Sequence, residues 1–269
     1  MSTVASRVLV ALTSLLGVAM LGWPLVASVS PRADGQSAPW LLVILLPLVL
    51  ATALVAVTRE RPDPRALALV GVLAALVAAL RLLGTGVGGI EPMFFLLVLA
   101  GAALGPRLGF TLGALAMLVS ALLTAGVGPW LPFQAFAAAW VGAGAGLVGR
   151  VVLPRDEARP GRRAVVVLAA YGVVAAYLYG LVTNLWFWPF ALGDGTQLSY
   201  VPGGGLGENV PRFLAYTLAT STLTVDTVRA VVTAAGVLVL GRAVLGVLGR
   251  ARVGAALTAD GPMPHAPRR

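Results

Sequence analysis

The 269-residue chain has no cysteine, no lysine, one histidine and only 11% charged residues. Without cysteine there are no disulfides, thiolate metal sites or cysteine nucleophiles. The single histidine, His265, lies in the C-terminal tail, so no Ser–His–Asp set can form among the apolar runs. No glycine-rich loop leads into a lysine, so the chain itself hydrolyses no nucleotide by that route. Paired carboxylates inside an apolar run, the usual sign of a proton or sodium relay, are missing. The halves carry no inverted repeat, which speaks against a self-powered secondary transporter. No metal-ligand set, cofactor motif or catalytic residue is assigned. The longest polar stretches, near 150–163 and 249–269, are too short to enclose a soluble core.

What remains is mostly apolar. Hydrophobic residues make up 59% of the chain and the mean hydropathy is +0.94, whereas a soluble domain is roughly half apolar and about a quarter charged. All 19 basic residues are arginine and the formal charge is +9. No aromatic residues interleave with them on a soluble module, so nucleic acid is not the expected partner. Arginine in loops that hold a membrane protein's orientation accounts for the charge.

A crossing takes about 20 mainly apolar residues. Eight runs qualify as candidates: 8–29, 40–58, 66–83, 92–105, 108–126, 131–150, 164–190 and 211–249. The expected fold class is therefore all-α, a polytopic membrane protein with about eight transmembrane helices. The first run is long for a signal peptide and Ala27-Ser28-Val29-Ser30 is a weak cleavage pattern, so it is read as an uncleaved span. Run 92–105 is short. Run 211–249 is too long for one straight crossing and holds Ser221, Thr222, Thr224, Asp226, Thr227 and Arg229. It is read as an interfacial or broken segment over 211–224, followed by a span over 226–248. With both termini cytoplasmic, loops 59–65 (Arg59, Arg61, Arg65), 106–107 (Arg107) and 151–163 (Arg155, Arg159, Arg162, Arg163) fall inside, as does the tail (Arg250, Arg252, Arg268, Arg269). Loops 30–39, 84–91, 127–130 and 191–210 fall outside with Arg32, Glu91, Asp194 and Glu208. Arginine is then concentrated on the cytoplasmic side, as the positive-inside rule expects.

Three groups of residues stand apart from generic apolar helix. Small residues repeat at Ala74, Ala75, Ala78 and Ala79 and at Gly142, Gly144, Gly146 and Gly149. Such faces let helices approach closely in lipid, either within the chain or against a partner. Polar and aromatic residues gather at the outer helix ends: Arg81 and Glu91 around 84–89, Trp130 and Gln134 after Gly128-Pro129, and Asn184, Trp186 and Trp188. They suit a pocket for a small polar aromatic molecule. An aromatic belt at headgroup level, with helix–helix hydrogen bonds from Asn184 and Gln134, also fits. Finally, Asp226 and Arg229 share a helix face at i, i+3. They read either as a neutralising ion pair or as part of a cavity wall.

From about residue 66 to 250 the chain resembles the substrate-binding S components of energy-coupling factor (ECF) vitamin transporters. The likeness rests on the run Phe94 to Phe110, with Gly101, Gly105-Pro106 and Gly109. It continues through Gly113-Ala114, Ser120 and Gly126 to Gln134, then Gly142, Gly146, Gly149, Tyr179-Gly180 and Asn184-Leu185-Trp186. The resemblance implies a six-helix substrate-binding core over 66–250, two additional N-terminal helices within 1–65, and a cytoplasmic tail over 251–269. It implies a high-affinity, non-enzymatic binding subunit in a bacterial cytoplasmic membrane. Such a subunit takes a vitamin or related micronutrient from outside and docks on a transmembrane coupling subunit with two ATPases. Docking would use Ala74, Ala75, Ala78 and Ala79. Substrate would be bound by Arg81, Glu91, Trp130, Gln134, Asn184, Trp188 and Asp226, with loop 191–210 as a candidate lid. A structural or assembly protein, or a membrane-embedded enzyme, is the alternative.

Overall fold

A computed structural model describes residues 3–26, 44, 47–52, 54–55, 64–84, 88–153, 160–192 and 195–259. Arg32, Arg59, Arg61, Arg155, Arg159, Asp194, Arg268 and Arg269 lie outside them, as does most of the expected 40–58 span. Every regular element among the described residues is helical: α1 (Thr3–Leu21), α2 (Trp23–Val26), α3 (Pro64–Gly84), α4 (Met93–Leu104), α5 (Pro106–Leu123), α6 (Leu131–Val152), α7 (Arg162–Ala191), α8 (Gly205–Thr217), a π-helical turn over Leu218–Asp226, and α9 (Thr227–Ala259). Residues 47–52 are also helical.

Helices α3, α5, α6 and α7 and the continuous helix Gly205–Arg250 are each long and apolar enough to cross a bilayer. The chain is thus a polytopic helical membrane protein. Many of its large apolar side chains, such as Val72, Leu122, Val151, Leu178 and Val239, face outward. In water such a surface would be costly; in lipid it is matched to its solvent.

Helix α4 is different. Its 12 residues reach about 18 Å at 1.5 Å per residue, against a hydrocarbon core of about 30 Å. Met93, Phe94 and every residue from Leu96 to Ala103 are buried, so α4 is a central strut wrapped by its neighbours. The chain leaves it through Gly105, whose φ of 84° is a conformation open to glycine and costly for most residues. Pro106 then starts α5, its missing N–H harmless at a helix N-terminus.

Glycine brings α4, α5 and α6 together. A Cβ on Gly101 or Gly109 would overlap the carbonyl of Gly142, and one on Gly142 would overlap that of Gly109. Gly113 lies as closely on Ala138, Gly146 on Gly105-Pro106, and Gly149 on Ala102. Gly144 accommodates the Tyr171 hydroxyl, which donates to the Val141 carbonyl at 2.7 Å. These glycines of α6 therefore serve packing within the chain. On α3, Ala74 and Ala78 are buried against the core, whereas Ala75 and Ala79 face outward beside Val72 and Leu76.

The N-terminal helix joins the same body: Trp140 of α6 donates to Ser14 Oγ at 3.2 Å, and Gly17 sits against Trp140 and Phe136. α1 stops at Leu21, and α2 resumes at Trp23-Pro24, so Pro24 marks a break.

The 46 residues from Gly205 to Arg250 form one uninterrupted helix, about 69 Å long if α-helical throughout. The break expected within 211–249 is absent. The polar middle instead runs as π-helix. Its hydroxyls bond back to the chain: Thr220 to the Tyr216 carbonyl at 2.8 Å, Thr224 to that of Thr220 at 3.3 Å, and Thr227 to that of Thr222 at 2.7 Å. The hydroxyls of Thr220, Thr224 and Thr227 are satisfied locally, so a polar segment continues as helix where composition alone suggested a stop.

Candidate functional site

The C-terminal ends of α3, α5 and α7 and the N-terminal ends of α4 and α6 meet at one end of the bundle. A cavity of about 620 Å³ opens there, lined by Arg81, Gly84, Gly88, Gly89, Glu91, Thr124, Gly126, Trp130, Gln134 and Phe187. Its size falls within the range of small-molecule sites. Four of the seven expected substrate contacts, Arg81, Glu91, Trp130 and Gln134, therefore share one wall-to-wall space. They come from α3, the loop before α4, the turn before α6 and α6 itself, which is why no single sequence window contains the site.

Arg81 ends α3 and reaches across to α5 and α6. It donates to Ser120 Oγ at 3.0 Å and to Gln134 Oε1 at 3.3 Å. Ser120 in turn donates to the Met117 carbonyl at 3.0 Å. Gln134 is thereby oriented with its carbonyl oxygen toward the guanidinium, leaving its amide N–H groups for other acceptors.

Glu91 is held from the other side. Arg229, on α9, donates through Nε to Glu91 Oε2 and through a terminal nitrogen to Asp226 Oδ1 at 2.5 Å. A weaker bond runs from Arg229 to the Ala176 carbonyl at 3.4 Å. The guanidinium carbon lies 5.1 Å from the Tyr179 ring centre and 5.5 Å from that of Phe94, within cation–π range. Asp226 is 1% exposed and Arg229 5%. Asp226 Oδ2 accepts from Ser221 at 2.9 Å, and Gly180 of α7 is so close that any Cβ there would strike the Asp226 carboxylate. Burying charge in a bundle is tolerable only when it is paired and hydrogen-bonded, and this network meets both conditions.

The loop before α4 is clamped to the π segment a second time. Gly89, at φ 83°, lies against the Val225 backbone, where a Cβ would overlap it. One side of the cavity rim is thus seated on the element that carries Asp226 and leads into Arg229.

No protein-family profile, curated protein or solved structure matches this chain.

The other expected contacts stand elsewhere. Asp226 is behind Glu91, separated from the cavity by the Arg229 bridge. Asn184 is one turn below Phe187 on α7, half-buried, with a buried Nδ2 that has no hydrogen-bond partner. Trp188 is fully buried. It donates to the Leu198 carbonyl at 2.7 Å and packs on Tyr200 and Phe213 in a separate aromatic cluster. Trp186 packs in the core against Phe133, Phe187 and Phe190.

Residues 195–204, expected as part of a lid, line no part of the cavity. They are fastened to α7 and α8. The Asn209 side chain bonds both the N–H and the carbonyl of Val201, at 3.0 and 2.9 Å. Arg212 donates to the carbonyls of Thr196 and Gln197. Burial within this cluster raises the Tyr200 phenol pKa above its ordinary 10.0, so it stays neutral.

Thr124, Phe187 and the rim glycines were not singled out as contacts from sequence. Phe187 had a signal: it lies three residues after Asn184, inside the aromatic run 184–190. Thr124 had none, since a threonine ending an apolar helix reads as punctuation.

Proposed function

We propose that this chain is the substrate-binding S component of an ECF-type importer. It would capture a vitamin or related micronutrient, dock on a transmembrane coupling subunit, and leave ATP hydrolysis to two separate ATPase subunits. The observation that carries this reading is the cavity at one end of the bundle, walled by Arg81, Glu91, Trp130, Gln134 and Phe187. It offers aromatic faces for a ring and a few fixed hydrogen-bonding groups for its edges, the usual composition of a small-molecule site. A purely structural bundle has no use for an open polar hollow, and among the described residues no nucleophile with its base adjoins this one, as an enzyme would need.

In this reading eight helices cross the bacterial cytoplasmic membrane, six forming the binding core over 66–250 and two preceding it, with both termini cytoplasmic. The cavity end, bearing loops 84–91 and 127–130, faces outside; the end bearing Arg65, Arg107, Arg162 and Arg163 faces the cytoplasm, in keeping with the positive-inside rule. The exposed stripe of α3 around Gly71, Ala75 and Ala79 is the docking face, because small residues admit a partner helix closely. Native mass spectrometry of the protein purified in mild detergent tests this directly. Retention of one small molecule and of a coupling subunit is expected. A folded sample that binds nothing from a broad vitamin panel and carries no partner rules the reading out.

A further inference from the structure

The cavity carries charge of both signs, and each sign is anchored by different elements. Arg81, near the end of α3, reaches α5 and α6 through Ser120 at 3.0 Å and Gln134 at 3.3 Å. Glu91, on the loop before α4, is paired with Arg229 of α9 rather than with Arg81. Both side chains line the same space. Behind Glu91, Arg229 also pairs with Asp226, which is closed off: Arg229 takes Oδ1, Ser221 takes Oδ2, and only 1% of its side chain is exposed. Among the described residues, two arginines and two carboxylates thus stand at or behind the cavity wall, and with all four ionised their charges cancel. Glu208 and Arg212 pair with each other on α8 and leave that balance unchanged.

A space with balanced charge does not select by net charge. It selects by where the ligand's charges stand. A simple cation drawn to Glu91 shares the enclosure with Arg81, and a simple anion drawn to Arg81 shares it with Glu91. In a site partly shielded from water, each incurs repulsion from one wall. A ligand with a charge of each sign meets both walls with attraction. The anion end has extra donors: the Gln134 oxygen is engaged by Arg81, so its amide N–H groups are left for a ligand acceptor. At the cation end, Arg229 takes Glu91 Oε2, and no described residue bonds Oε1. The Arg229 bridge and the seating of Gly89 on Val225 fix Glu91, as Ser120 and Gln134 fix Arg81, so the two poles are set before a ligand arrives. Trp130 and Phe187 line the same space and offer aromatic faces to a flat ring.

We propose that the cavity takes a zwitterion: a planar ring bearing an anionic group, directed at Arg81 and Gln134, and a positively charged nitrogen, directed at Glu91. This rests on the proposed binding role of the same cavity and adds the ligand's charge pattern.

Two probe sets test it, each built on one ring in zwitterionic, cationic and anionic form. Phenylalanine, phenethylamine and hydrocinnamate place the zwitterion's charges side by side. Para-(aminomethyl)benzoate, para-methylbenzylamine and para-toluate place them across the ring. Binding to the full-length protein in lipid nanodiscs can be compared by calorimetry and saturation-transfer NMR. In at least one set the zwitterion is expected to bind roughly tenfold or more tightly than both singly charged members. In Glu91→Gln its advantage over the anion should fall to about twofold or less while that over the cation persists, and Arg81→Gln should do the reverse. Failure of the zwitterion to lead in either set, or binding of none of the probes, overturns the inference, and these wild-type results need no variant that folds. If the inference fails while a coupling subunit copurifies, the importer reading stands and only the charge pattern is wrong. If the zwitterion preference holds with no such subunit, a zwitterion-binding protein remains and the importer reading falls.

Discussion

At the scale of single residues, the most consequential group is the Arg229 guanidinium. It bridges Asp226, buried in the bundle, and Glu91, on the cavity wall. Breaking a buried ion pair by removing one partner costs about 3–5 kcal/mol, because the remaining charge is left uncompensated. Arg229→Met is therefore expected to lower the melting temperature in detergent markedly. Arg229→Lys should recover only part of the loss, since an ammonium lacks the planar fork that serves both acceptors. Equal stability of Arg229→Met and the native chain would show that the bridge contributes nothing. Gly180 is a second sensitive point. The neighbouring Asp226 carboxylate is pinned by Ser221 and Arg229 and has little room to retreat from an added methyl. Gly180→Ala should destabilise by about 1–3 kcal/mol, the usual cost of overpacking, measurable in the same thermal unfolding. Sequence alone brought Asp226 and Arg229 to notice because charge in an apolar run is costly. It did not pair Arg229 with Glu91, 138 residues away, since no local spacing rule spans that distance.

At the scale of elements, the close contact of α4, α5 and α6 and the π segment set the geometry of the site. Gly109 and Gly142 meet backbone to backbone, so the contact cannot yield as a flexible side chain would. Gly109→Ala is expected to cost about 1–3 kcal/mol or more by overpacking and to widen the spacing of α5 and α6. Thermal unfolding checks the stability change, and spin labels on the two helices check the spacing. The π segment can be tested by its register. Each α-helical residue turns the chain by about 100°, so deleting Thr224 rotates α9 relative to α8. Either Arg229 leaves Glu91 or the Trp188–Phe213 cluster comes apart. Ligand binding in the cavity is expected to fall at least tenfold; unchanged binding would mean that the register of this helix does not matter to the site. The glycine and alanine repeats were visible in sequence as close-packing faces. Which neighbour each face meets was not, because a helix surface with small residues fits many partners equally well.

At the scale of the whole molecule, orientation is the property most open to test. The native chain has no cysteine, so a single introduced thiol reports on one position. Val127 is exposed at the cavity end and Gly161 at the opposite end. In intact cells, Val127→Cys should react with a membrane-impermeant maleimide, and Gly161→Cys should react only after permeabilisation. The reverse pattern would invert the topology and close the cavity to external substrate.

Composition, apolar run length and the spread of arginine were enough to show a helical chain built for lipid and to bring out most of its helices. Those properties are local and additive along the chain. The residues gathered around the cavity, the burial of α4 and the position of Trp188 outside the site depended on tertiary packing. Each is settled by which helix faces meet, and in a solvent as apolar as the side chains themselves, hydrophobic pattern does not separate a face that meets protein from one that meets lipid.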